Sequence, residues 1–142
     1  MKIAIGADHG GFELKEFLKN EYKKKGTELV DLGAYSEESC DYPLIADRMA
    51  DEILSGRADK GILICGTGIG ISIAANRHKG IRAALLYSNE TAALAREHNN
   101  ANIAVFGART QQKNDVLRYL ETFLTTDFSN GERHNRRIAE LG

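Results

Sequence analysis

Gly61-Ile-Leu-Ile-Cys65-Gly-Thr67-Gly-Ile-Gly70-Ile-Ser-Ile-Ala-Ala75 decides the fold. It opens as a buried strand, with small or apolar residues from 61 to 64 and β-branched Ile at two of them. At Cys65 it breaks into glycines at alternating positions 66, 68 and 70, then continues as a helix packed on Ile and Ala. A strand that turns through glycines into a helix leaves bare backbone N–H groups facing outward. With the positive end of the helix dipole, those groups form an anion site. The distinguishing feature is a thiol at the last strand position, beside the same loop.

Familiar glycine motifs do not fit. The dinucleotide fingerprint needs G-x-G-x-x-G and an acid about 20 residues on, whereas no acid occurs between Cys65 and Glu90. The P-loop needs Gly-Lys-Ser/Thr, and no Lys follows these glycines until Lys79. A cysteine phosphatase loop would end on an Arg where Ile71 stands. The plain alternative is a tight turn beside an inert buried Cys, which behaves as a small hydrophobe.

Working outward, strands alternate with helices along the whole chain. Lys2–Gly6 is a first strand, ending at Ala7-Asp8-His9-Gly10-Gly11, and Phe12–Lys25 an amphipathic helix stopped by Gly26. Glu28–Leu32 is a short second strand, followed by a polar loop over 33–41. Pro43 then sits at a helix start that runs to Leu54. Ile81–Leu86 is the fourth strand, Ser88 caps a helix over Asn89–Glu97, and Asn102–Phe106 is the fifth strand. A last helix covers Gln111–Leu124, leaving 125–142 as a polar, basic tail. Five such strands predict an α/β fold, an open parallel sheet with helices on both faces, and residues 1–142 form one domain.

Bulk properties exclude several classes. Nineteen Lys and Arg against 20 Asp and Glu leave a net charge of −1, so nothing suggests nucleic acid or an anionic membrane. No apolar run approaches the roughly 20 residues a membrane helix needs, and the N-terminus enters a strand without the regions of a signal peptide. Cys40 and Cys65 are the only cysteines, in no metal-ligand spacing, so a reducing cytoplasm is expected and no metal or cofactor.

In an open parallel sheet, ligands bind beyond the carboxyl ends of the strands. Two strand ends carry reactive groups, Asp8-His9 and Cys65-Gly66-Thr67, and they converge if the first and third strands are neighbours. Asp8 suits a hydroxyl or ring oxygen, and His9 an anion or hydroxyl. Asp and Gly also suit an ordinary capped turn. A helix N-terminus activates a thiol, leaving Cys65 as nucleophile, redox centre or general base. Cys40 reads as a bland loop residue. His98 closes a helix, where a dipole contact is the ordinary explanation. Arg133 and Arg137 are spaced i, i+4, so on a helical turn they point the same way and make a phosphate clamp.

Taken together, Asp8-His9-Gly10-Gly11, Asp41-Tyr42-Pro43, Cys65 to Asn76, Gly80-Ile-Arg-Ala-Ala, Arg96-Glu-His-Asn-Asn-Ala-Asn102 and Gly131-Glu-Arg-His-Asn-Arg-Arg137 resemble the type B ribose-5-phosphate isomerases. The match runs in order through nearly the whole chain. It implies a three-layer α/β/α sandwich with sheet order 2-1-3-5-4, a homodimer, and metal-independent interconversion of ribose 5-phosphate and ribulose 5-phosphate through an enediol. Related members act on allose 6-phosphate or galactose 6-phosphate. By the same resemblance Cys65 matches the general base and His98 the acid that opens the furanose. Thr67 is placed with them as catalytic. Asp8, His9, Gly66, Thr67, Gly68, Ile69, Gly70, Asn99, Arg109, Arg133 and Arg137 match substrate contacts. Asn130-Gly131-Glu132 departs from the usual Gly-Gly pair without displacing either arginine. A non-catalytic sugar-phosphate or nucleotide module is the alternative from another class, but it has no use for a thiol and an imidazole. Pentose versus hexose, and dimer versus tetramer, stay open.

One expectation is geometric. His98 follows a helix that starts at the carboxyl edge of the sheet and runs back about 14 Å, at 1.5 Å per residue. An imidazole cannot span that return, so if Cys65 and His98 serve one substrate, His98 comes from a partner subunit and the site is shared.

Overall fold

Short runs rich in small and β-branched residues form the central strands of the sheet in a computed structural model that describes residues 1–142. The strands are β1 (Ile3–Ala7), β2 (Val30–Asp31), β3 (Lys60–Cys65), β4 (Ala83–Leu85) and β5 (Ile103–Gly107). All pairings are parallel and the order is β2-β1-β3-β5-β4, as the resemblance implies. The central strands β1, β3 and β5 are almost wholly buried, because both faces of a parallel sheet are covered. β2 and β4 are shorter than the sequence suggests. Both are edge strands with one hydrogen-bonding neighbour, so their ladders end early.

Alternation along the strands sorts the core into two layers. Ile5, Ile62, Ile64, Ala104 and Phe106 point to one face, where they meet α1 (Phe12–Lys24), α4 (Asn89–Glu97) and α5 (Lys113–Thr125) through Leu18, Ala92 and Phe123. Ala4, Leu63, Cys65 and Val105 point to the other and meet α2 (Tyr42–Leu54) and α3 (Ile69–Ala75) through Met49 and Ile71. The chain thus leaves β1 for one face and β3 for the opposite one. A crevice opens between neighbouring strands where such crossovers diverge.

The expected tail is more ordered than its polarity suggests. Residues Glu132–Leu141 form a helix, α6, capped at Gly131, and none of its residues is buried. It is joined to the end of α4 by Ser129, whose N–H and hydroxyl both donate to the Glu97 carbonyl, at 3.2 and 2.6 Å.

One buried charge anchors the loop over residues 33–41. Lys15 of α1 is fully buried and its ammonium lies 2.6 Å from Asp31 at the end of β2, with Lys19 also 2.8 Å from that carboxylate. Burial alone would raise the Asp31 pKa, but the two ammoniums and the Gly33 N–H outweigh it and hold the carboxyl below its ordinary value. Asp31→Ala strands an ammonium out of water and is expected to cost about 3 kcal/mol, the low end for breaking a buried pair, because Glu16 remains 3.4 Å from Lys15. Urea titration at neutral pH measures it. Because the folded-state value is depressed, the pair contributes fully above the unfolded-state value and is lost as pH falls through the folded one. The difference between wild type and variant should therefore shrink in acid.

Candidate active site

At the carboxyl edge the register sets Ala7 opposite Ile64 and Cys65 opposite Gly107, so the loops after β1, β3 and β5 meet. Cys65 is 5% exposed and its Sγ accepts the Gly68 N–H at 3.2 Å. That bond requires the sharp turn of the loop. Gly68 has φ +80°, and a Cβ there would lie 2.6 Å from Leu85 and 3.0 Å from the Phe106 carbonyl carbon. The exposed Thr67 hydroxyl accepts the Ile69 N–H at 3.2 Å, fixing it at the mouth of the loop. Gly70 and Ile71, in the first turn of α3, have N–H groups with no partner within the helix. Since α3 has only seven residues, an anion at this loop would be held by these local N–H groups rather than by a long helix dipole.

Asp8, His9 and Arg109 close the other sides. Asp8 is buried, and its Oδ1 accepts the Gly11 N–H at 3.1 Å, capping the 3-10 turn His9–Gly11. Around Gly10 three groups converge: a Cβ at that position would be 3.3 Å from Asp8 Oδ1, 3.7 Å from Gly66 N and 3.9 Å from Arg109 Nη2. Arg109 is tied to the loop through its own N–H, which donates to the Gly66 carbonyl at 2.9 Å. His9 Nδ1 accepts the Cys40 backbone N–H at 3.2 Å, which leaves Nε2 as the ring nitrogen available to a ligand. Cys40 is thus less remote than its loop position suggests, but it acts through its backbone. His9 and Arg109 border an open cleft of about 650 Å³ that also includes Glu13, Glu37 and Lys113.

Tyr42 is the residue that sequence reasoning passed over. A Cβ on Gly70 would lie 2.7 Å from the Tyr42 hydroxyl, so the start of α2 packs directly over the glycine loop. Its quoted place in Asp41-Tyr42-Pro43 was the available signal.

His98, Asn99, Arg133 and Arg137 lie elsewhere. His98 caps the C-terminus of α4, and the turn after it leads into the start of β5. Buried Arg96 fixes that turn, donating to Asn100 Oδ1 at 2.8 Å, the Ala101 carbonyl at 2.7 Å and the Thr126 carbonyl at 3.1 Å. Arg82 donates to the Asn99 carbonyl at 2.9 Å from the start of the same edge. The His98 and His134 rings stack, with centroids 4.3 Å apart and planes inclined by 14°. Desolvation first, then the charges of His98, Arg133 and Arg137, hold the His134 imidazole below its ordinary pKa. These groups form a compact basic cluster. The four residue steps separating Gly61 from Cys65 along β3 place the amino edge of the sheet about 13 Å from the thiol, at 3.3 Å per residue. The subunit therefore carries two groups of candidate residues on opposite edges of the sheet, Cys65, the glycine loop, Asp8, His9 and Arg109 at one and His98, Asn99, Arg133 and Arg137 at the other.

Against known proteins, the pattern of the family described as Ribose/Galactose Isomerase matches residues 3–141. Ribose-5-phosphate isomerase B of Escherichia coli is 41% identical over 140 residues, covering 99% of this chain and 93% of that protein. Among solved structures, a ribose 5-phosphate isomerase of Thermotoga maritima is 54% identical with a TM-score of 0.96, covering 99% of this chain and 96% of its own. Ribose-5-phosphate isomerase B of Clostridium thermocellum is 45% identical with a TM-score of 0.97, covering 100% and 95%.

Proposed function

The chain belongs to the ribose/galactose isomerase family, and from that premise we propose how its two half-sites interconvert ribose 5-phosphate and ribulose 5-phosphate. The observation that carries the chemistry is the Cys65 sulfur at the end of β3, hydrogen-bonded to the loop it faces. His98 gives a proton to the ring oxygen as the C1–O4 bond breaks and the C1 hydroxyl loses its own proton. Cys65 then takes the proton from C2 while the aldehyde oxygen gains one, giving the enediol. Return of a proton to C1 and loss of the O2 proton complete the ketose. Backbone N–H groups of the Gly66–Gly70 loop and the Thr67 hydroxyl stabilise the charge that develops on the two oxygens. Asp8 and Asn99 orient sugar hydroxyls. His9, Arg109, Arg133 and Arg137 hold the phosphate, whose remote binding energy keeps a small flexible sugar in register.

Such a site needs two copies of the chain. A homodimer is supported by the separation of the half-sites and by two unpartnered surfaces. Ile69 and Ile73 on α3 are 54% and 53% exposed, and α6 buries none of its residues within its own subunit. A two-fold dimer that covers these faces brings His98 and the arginines of one subunit to the thiol of the other. Sedimentation distinguishes this dimer from a tetramer built of two. No helix is long and apolar enough to cross a membrane. Both cysteines are free thiols, which supports the reducing cytoplasm as its compartment.

The deciding experiment is a coupled assay for ketose formed from ribose 5-phosphate in excess chelator, with allose 6-phosphate and galactose 6-phosphate alongside. Turnover of the pentose, undiminished by chelator, is expected; absence of ketose would remove the reading. The arginines give a second test. Hydrogen bonds to charged groups are worth roughly 1.5–3 kcal/mol, so Arg133→Ala or Arg137→Ala should raise KM about 10-fold or more. The loss should vanish with unphosphorylated ribose, and equal losses on both substrates would take these side chains off the phosphate.

A further inference from the structure

The acid of this mechanism has little of its own to hold it. His98 is half-buried at a helix end, and neither ring nitrogen has a hydrogen-bond partner within the subunit. An imidazole free to turn about both side-chain torsions would seldom present a nitrogen to the sugar, and misplacement by about 1 Å costs up to about 10²-fold in rate. The ring of His134 is laid against it, face to face at 4.3 Å.

We infer that His134 is a positioning residue, whose stacked ring fixes the plane of the His98 imidazole and leaves both His98 nitrogens open to the substrate. A stack is suited to this task because it occupies the face of a ring, whereas proton transfer uses its edge. His134 is itself well placed to serve as a support. It lies in the first turn of α6, and its ring backs onto Gly131, where a Cβ would come within 3.1 Å of Cδ2. Ser129, two residues earlier than Gly131, is bonded to the carbonyl of Glu97, the residue before His98. The ring-opening acid and the helix bearing Arg133 and Arg137 are thus joined at two points and reach the partner's thiol as one body. Desolvation, then the nearby charges of His98, Arg133 and Arg137, hold the His134 pKa below its ordinary value, which disfavours a further positive charge within the stack.

The role rests on the isomerase reading, so the test has arms that separate the two. His134→Ala, which disturbs no buried residue, is expected to lower kcat about 10-fold or more with KM within about twofold, and His134→Phe to recover most of that loss. In a His98→Asn background, His134→Ala should cost nothing further, since it acts through the ring already removed. In NMR spectra of the dimer, the His98 ring protons should lose a ring-current shift in His134→Ala and keep it in His134→Phe. Unchanged kcat, failure of phenylalanine to restore it, a loss confined to KM, or His98 signals that ignore His134 would each overturn the inference. A wild type inert toward ribose 5-phosphate would instead sink the functional reading, and the positioning role with it, while the NMR arm still reports whether the rings stack.

Discussion

Cys65→Ala is expected to lower kcat for ribose 5-phosphate by about 10²–10⁴, the range for loss of a general base, with KM little changed. The asymmetry follows from what the substitution leaves behind. The loop N–H groups, Asp8 and Arg109 are held by backbone bonds, Gly11 N–H to Asp8 and Arg109 N–H to Gly66, that do not involve the sulfur. Only the Gly68 N–H loses its acceptor. Binding therefore survives while the C2 proton has nowhere to go, because that proton is weakly acidic and donors without a base do not remove it. Steady-state kinetics on a variant shown to melt near wild type measure the split. A kcat above about half of wild type would remove Cys65 from the mechanism. Cys40→Ala is the control: its contact with His9 is made by the backbone N–H, which alanine keeps, so kinetics should stay as wild type.

Joint refolding of two crippled variants is expected to restore about a quarter of wild-type activity. The variants are Cys65→Ala and His98→Asn, each of low but measurable activity alone. Random pairing gives half mixed dimers, and in a two-fold dimer each mixed pair has one site with both native residues. The expectation depends on the sheet. Cys65 ends β3 opposite Gly107, whereas His98 precedes β5, which enters the sheet opposite Gly61. The nine residues of α4 return the chain about 13 Å, at 1.5 Å per residue, from the carboxyl edge to the amino edge. Mixed dimers that form and refold well yet recover nothing would assign both residues to one subunit, against the reading of a shared site.

Local features of the site were legible in the sequence because local chemistry produces them. The run from Gly61 to Ala75 encodes a strand, a glycine turn and a helix within 15 residues, so the thiol's position at the strand end could be read directly. The spacing of Arg133 and Arg137 likewise needed only one helical turn, which α6 supplies. Boundaries were less legible at β2 and β4, because where an edge ladder stops depends on its neighbour and not on its own residues.

By itself the sequence determined the alternation of strands and helices, the glycine turn after the third strand, and the thiol at that strand's end. Periodicity states which side of an element is buried but not what covers it, so adjacency was outside its reach; even the strand order came from likeness to a family. Only the tertiary structure set Asp8 beside the glycine loop, brought the Cys40 backbone to His9, laid Tyr42 over Gly70 and stacked His134 on His98. The partners in the last three pairs are 28 to 36 residues apart in the chain. Such contacts arise when strands that are distant in sequence share hydrogen bonds and their helices bury apolar faces together, a sum over the whole core that no single stretch contains.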